Sequence, residues 1–177
     1  ITVYYVDGEK YNNEGVGYCS RNQQLKLPEI DENFVFENQG KFYQGADNSF
    51  LFGMAVGLHL QFGGYYAIQG ELVGAGVQGN FEKFDTYQVF AYNIFDIEKQ
   101  QYVDFNTFQR MAEAIGLQTV PVIYEAQCVL REPLKDILEL SNIQGLNADY
   151  AEGVVWKQTN GNCQFKVINN KYLEKQG

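Results

Sequence analysis

The chain has 177 residues, 45 % of them hydrophobic, and a formal net charge of −9. That length suits one domain with a sizeable core, and the apolar runs fall far short of a membrane span. The acidic balance argues against nonspecific attraction to nucleic acid, which rests on Lys and Arg meeting phosphates. The charge is nevertheless uneven. From Tyr150 onward four lysines (157, 166, 171, 175) stand against two glutamates (152, 174), so this end is locally basic. A cytoplasmic protein without a membrane partner is expected.

With 13 Tyr and 13 Phe, strands should outnumber helices. "ITVYYVD" (1–7) predicts a strand closed by an Asp-Gly turn, and "EGVGYCS" (14–20) the returning strand. Residues 46–62 predict one helix, with Leu51, Met54, Leu58 and Phe62 at helical spacing. Strands follow at 65–73 and 86–97, the second apolar on both faces as a central strand would be. Phe105, Phe108, Ala112 and Ile115 share one helical face over 105–116, with Gly116 as the stop. "TVPVIYEA" (119–126) reads as a strand and "EPLKDILELSN" (132–142) as a short helix with Pro133 at its start. "EGVVWKQ" (152–158) and "CQFKVIN" (163–169) flank the polar turn "TNGN" and predict a β-hairpin. Strands and helices do not alternate, which predicts an α+β fold of mostly antiparallel sheets with a few flanking helices, in a single domain over 1–177.

Few residues suit catalysis by the commonest routes. Cys19, Cys128 and Cys163 are widely spaced, which predicts reduced, mostly buried thiols rather than a zinc site. The single histidine, His59, lies in an apolar stretch and reads as a packed or surface residue, so acid–base work falls to carboxylates, lysines or a metal ion. Gly74, Gly76 and Gly79 spell G-x-G-x-x-G, the spacing of a dinucleotide-binding loop. That reading needs a helix directly after the loop. The residues after Gly79 instead give a short polar stretch and another strand, so a glycine-rich turn between strands is the expectation.

Four segments carry a more specific message in their order along the chain: "GEL" at 70–72, "YNIFDI" at 92–97, "EGVVWK" at 152–157 and "FKVINNKYL" at 165–173. Together they resemble the motifs of ATP-dependent RNA ligases, members of the covalent nucleotidyltransferase superfamily, with the nearest likeness to the Deinococcus-type branch. The resemblance covers nearly the whole chain. It implies a nucleotidyltransferase (ATP-grasp-like) domain that uses ATP and Mg2+ to join RNA 3′-hydroxyl and 5′-phosphate ends through AMP-bearing intermediates.

The resemblance also implies roles. Arg21, in "SRN", would meet phosphate or ribose, and Glu71 would accept hydrogen bonds from the ribose hydroxyls of AMP. Tyr92, with Phe95 second, would stack on adenine. Glu152 would help hold the metal or position the leaving group, Lys166 would touch the AMP phosphate, and Lys171 would supply a second cation. These residue types suit phosphoryl transfer, which needs cations at developing negative charge and a carboxylate for the metal. Glu71 and Glu152 stand among apolar strand residues, where a carboxylate is costly to bury unless paired. Arg131 and Lys26 read as ordinary surface charges.

One departure is plain. The superfamily attaches AMP to the lysine of Lys-x-Asp-Gly, and none of the 177 residues spells that motif; "YVDG" at 5–8 has Tyr5 in the lysine position. The expectation is a ligase fragment that starts just past its nucleophile. A noncatalytic nucleotide- or RNA-binding module, or a DNA ligase or capping-type enzyme, remain the alternatives.

Overall fold

The computed structural model describes residues 1–8, 15–28, 39–125, 133–160 and 163–176. Cys128, Arg131, the ends of the segments expected at 119–126 and 132–142, and half of the "TNGN" turn lie outside the described residues. Six strands form one sheet in the order β3-β2-β1-β4-β5-β6: β1 Thr2–Tyr5, β2 Val16–Cys19, β3 Gln24–Leu25, β4 Tyr66–Val73, β5 Gln88–Asp96 and β6 Gln101–Tyr102. Every pairing in it is antiparallel. A separate hairpin joins β7 Gly153–Lys157 to β8 Gln164–Ile168, also antiparallel. The helices are α1 Lys41–Asn48, α2 Leu51–Phe62, α3 Phe105–Ile115, α4 Leu134–Leu140 and α5 Asn170–Gln176. The α+β, antiparallel expectation holds.

Side chains alternate across a strand, so one face of the sheet is apolar. Val3, Ile68, Leu72, Val89, Ala91 and Ile94 point to a core that α1, α2 and α3 cover through Ala46, Leu51, Ala55, Leu58, Phe108 and Met111. Thr2, Gln69, Glu71 and Asn93 alternate with these residues and belong to the opposite face. A smaller core of Ile137, Trp156 and Val167 lies where α4 packs on the hairpin. No helix among the described residues is long and apolar enough to cross a membrane.

Three expectations need correction. The helix foreseen over 46–62 is two, beginning at Lys41 and broken at Ser49–Phe50. The break follows from polar side chains that bind the start of β5: Asn48 Nδ2 donates to Tyr87 O at 2.9 Å and Ser49 Oγ accepts from Val89 N–H at 2.8 Å. Residues 119–125 form no strand beyond one isolated parallel bridge between Thr119 and Ala91. Pro121 lacks the N–H a ladder needs, and Val120, Val122, Ile123 and Tyr124 remain exposed. Cys163 is exposed rather than buried, although it and Cys19 are free thiols as expected.

Other details match. Helix α3 starts at Asp104, whose carboxylate accepts from Thr107 N–H at 3.0 Å, and it stops at Gly116 in the left-handed region. His59 is packed, stacked on Tyr65 at 4.9 Å, with its Nδ1 2.7 Å from Gly64 O. The glycine-rich turn does lead from β4 into β5 through a 3-10 turn at Gln78–Asn80, with no α-helix between them.

Candidate active site

The polar face of the sheet is shaped by an irregularity in β5. Gln69 pairs with Asn93 and Gly70 with Ala91, so Tyr92 has no partner on β4 and forms a bulge. Such an extra residue bends the strand and re-aims its side chain, a device common beside active sites. It also explains why Ala91 and Ile94 can both face the core while Asn93 lies on the other side. The strand that read as apolar on both faces is therefore one whose register changes midway.

Around Tyr92 the structure gathers three other charged or polar groups. Burial raises the pKa of the Tyr92 phenol, the carboxylate of Glu71 and the phenol of Tyr102 raise it further, and Arg21 opposes them. Glu71 stands exposed on β4, and Arg21 lies exposed in the turn that Ser20 closes by donating its N–H to Gln23 O at 2.9 Å. Phe95 lies beyond the bulge on β5, edge-on to Tyr102 at 5.2 Å. Ile1 borders this wall: its ammonium group donates to Gly70 O at 2.9 Å and its carbonyl accepts from Gly70 N–H at 3.0 Å.

The hairpin supplies the facing cations. Val154 and Trp156 turn to the α4 core, so Gly153, Val155 and Lys157 take the other face of β7. Lys166 lies opposite Val155 and shares that face. Lys166 Nζ donates to Glu152 Oε1 in an ion pair whose side chains are 43 % and 44 % exposed. A pair this open to water contributes at most about 1 kcal/mol to stability. The concern that Glu71 and Glu152 are costly buried carboxylates does not apply, since neither is buried.

Lys157 ties the two regions together. Its Nζ donates to Tyr92 O at 2.7 Å and to Asn93 Oδ1 at 2.8 Å, and stands 5.1 Å from the centre of the Tyr92 ring. The side chain as a whole is exposed, but its ammonium end is tucked against β5, and this burial pushes its pKa down.

The structure thus brings Glu152 to Lys166, and Glu71 and Arg21 to the surroundings of Tyr92. Glu71 and Lys166 make no ion pair with each other among the described residues. Lys171 lies in the first turn of α5, exposed, with its N–H donating to Asn169 Oδ1 at 3.0 Å, and takes no part in the Glu152 pair. Lys157 and Asn93 were missed as candidates. The signal was available in the alternation of β7, which puts Lys157 on the same side as the residue opposite Lys166, and in the polar Asn93 within an apolar strand.

Solved structures share this fold. A lysine-to-alanine variant of the Naegleria gruberi RNA ligase with ATP and Mn matches with a TM-score of 0.79 at 25 % identity, over 98 % of this chain and 48 % of that one. The same ligase with PPi matches equally, at 0.79 and 25 %. An arginine-to-alanine variant with ATP and Mn gives 0.77 at 26 %, again over 98 % and 48 %. The chain therefore spans about half the length of these solved relatives, and its fold is that of nucleotidyltransferase-type ligases. None of the curated proteins matches. A family model described as RNA ligase matches residues 1–172, and the chain belongs to that family.

Proposed function

We propose that this chain belongs to the adenylylation domain of an ATP-dependent RNA ligase of the Deinococcus-type branch; the Lys-x-Asp-Gly motif is not spelled in its 177 residues. In the intact protein a lysine attacks the α-phosphorus of ATP, a nitrogen–phosphorus bond forms, and pyrophosphate leaves. The AMP then passes to an RNA 5′-phosphate, and an RNA 3′-hydroxyl displaces it to seal the ends. The observation that carries this reading is the hairpin face bearing Lys166 and Lys157, with Glu152 just before β7 paired to Lys166, joined through Lys157 to Tyr92 within a chain of the RNA ligase family.

In this reading Tyr92 presents its ring to adenine, with Phe95 behind it toward Tyr102. Lys157 holds the backbone of the bulge and so fixes the height of that ring. Glu71 accepts from the ribose hydroxyls, and Arg21 meets phosphate or ribose. Lys166 exchanges its contact with Glu152 for the α-phosphate and steadies charge there, with Lys171 as a second cation.

The metal fits the donor set. Mg2+ needs only one or two protein carboxylates because phosphates and water complete its shell, and Glu152 is a solvent-accessible carboxylate beside the phosphate-seeking Lys166. A divalent cation held by Glu152 would supply neutralising charge to the phosphates.

Incubation with ATP and Mg2+ followed by intact-mass analysis tests the reading. The 177 residues alone should gain no AMP, whereas the protein bearing an upstream Lys-x-Asp-Gly should gain one, on that lysine. An adduct on Lys10, Lys83 or Lys166 of the isolated chain contradicts the assignment. Reversible AMP binding with no adduct in the intact protein would favour a noncatalytic binding module.

A further inference from the structure

The proposed function assigns the glycine-rich turn no role in ligation, yet the turn is where the sheet grips the loop that leads into Glu152. Asn80 closes the turn: its Nδ2 donates to Phe84 O at 2.9 Å and its Oδ1 accepts from Phe84 N–H at 3.0 Å. Gln78, Asn80 and Lys83 all carry left-handed backbone, with φ of 43°, 48° and 57°. Non-glycine residues hold such conformations only where their surroundings over-determine them.

The surroundings are the loop before β7. The Phe81 ring lies 5.4 Å from that of Tyr150 and 4.9 Å, edge-on, from that of Tyr172. Glu82 Oε2 accepts from Asn147 N–H at 3.0 Å and from Ala148 N–H at 3.3 Å. Bonds from backbone N–H to a carboxylate are charge-assisted and stronger than neutral ones. Gly145 makes room for them: a Cβ there would stand 2.6 Å from Glu82 Oε1. The gripped segment runs straight to Glu152. Ala151 N–H donates to Ile143 O, and Glu152 O accepts from the N–H of Asn169, each at 2.9 Å. The fully buried Asn169 comes directly after β8, which carries Lys166.

We propose that Glu82 is a positioning residue for Glu152 and Lys166. By pinning the amides of Asn147 and Ala148, it fixes where the loop before β7 delivers the Glu152 carboxylate, and so sets the concentration of divalent cation that the site requires. The inference rests on the reading of Glu152 as the carboxylate that holds the metal. It also gives the G-x-G-x-x-G turn a function that has nothing to do with a pyrophosphate: the turn carries Phe81 and Glu82 to the loop.

The test uses the intact ligase and its Glu82→Ala and Glu82→Gln variants, with two readouts. Amide hydrogen exchange reports the contact itself. Asn147 and Ala148 should exchange slowly in the parent, faster in Glu82→Ala, and at an intermediate rate in Glu82→Gln, whose amide oxygen can still accept. Self-adenylylation with ATP across a Mn2+ titration reports the positioning. The half-saturating Mn2+ should rise about tenfold in Glu82→Ala, the lower end of what losing the outer support of a metal ligand costs, with kcat at saturating Mn2+ largely kept and partial rescue in Glu82→Gln.

Unchanged exchange in Glu82→Ala overturns the contact. Faster exchange with a parental Mn2+ requirement overturns the positioning role. A Glu152→Ala ligase that keeps the parental Mn2+ dependence refutes the metal assignment of Glu152 and, with it, this role for Glu82, while the exchange data still decide the contact.

Discussion

The six-stranded sheet and the β7–β8 hairpin differ in how they are held. The sheet rests on a continuous core in which Val3, Ile68, Val89 and Ile94 are fully buried beneath three helices. Among the described residues the hairpin's buried apolar centre is Ile137, Trp156 and Val167, with Leu138, Leu140, Val154 and Phe165 packed around it. Its links to the larger body include polar and local contacts: Lys157 to Tyr92 and Asn93, Glu82 to Asn147 and Ala148, and Phe105 N–H to Thr159 O at 2.9 Å. A rigid sheet bearing Tyr92 and Glu71 is thus opposed by a lightly anchored hairpin bearing Lys157 and Lys166. Regions with few buried apolar contacts open most readily, as the proposed role of the hairpin as one wall of a nucleotide site requires.

The largest expected effect separates the two cores. Trp156→Ala should cost about 3–5 kcal/mol, as deletion of a buried aromatic does, and among the described residues the indole Nε1 has no hydrogen-bond partner to lose. Hydrogen exchange should show lost protection across 153–168 with β1, β4 and β5 intact, whereas Ile68→Ala should weaken protection in both regions. Equal, uniform losses in the two variants would mean that the sheet and hairpin form one cooperative unit.

Next comes Lys166→Ala in the intact ligase. Removing one electrostatic donor at developing charge typically costs about 3–4 kcal/mol, or roughly 100- to 1000-fold in rate. The control is Lys135→Ala, whose partner Glu139 lies 3.7 Å away in an exposed pair, and it should leave adenylylation unchanged. Similar rates in both variants would make Lys166 a structural residue.

The smallest of these effects lies at the edge of the sheet. Asp96 is buried; burial pushes its pKa up, but hydrogen bonds from the side chain and N–H of Lys99 and from the Glu98 N–H, with the Lys99 charge, bring it below the usual carboxylate value. A depressed folded pKa gives stability that is complete above the unfolded-state pKa and is lost as pH falls through the folded one. Asp96→Ala should therefore cost about 1–2 kcal/mol at neutral pH, and urea melts should show the difference shrinking once acid protonates the folded carboxyl. A difference that persists undiminished in strong acid would show that the carboxylate charge has no part in it.

The same contrast explains what could be read from the sequence. Helix α3 was legible to within a residue, because Asp104, the spacing from Phe105 to Ile115 and Gly116 all give the same message. The hairpin was legible from its alternation. The break at Ser49–Phe50 was not, since it depends on hydrogen bonds to Tyr87 and Val89, some 40 residues on. The bulge at Tyr92 depends on its register with β4, which no local pattern records. Glu152 and Lys166 were named from their motifs, and the structure joins them. Lys157 and Glu82 act through backbone atoms far along the chain, and their residue types alone carry no such information.

The most direct test of the central claim is a crystal structure of the protein with AMP and Mn2+. The account predicts adenine against the ring of Tyr92, the ribose hydroxyls at Glu71, and the phosphate within hydrogen-bonding distance of Lys166, now released from Glu152. AMP bound away from the Tyr92 bulge, or a phosphate left untouched by Lys166 while its pair with Glu152 persists, would contradict it.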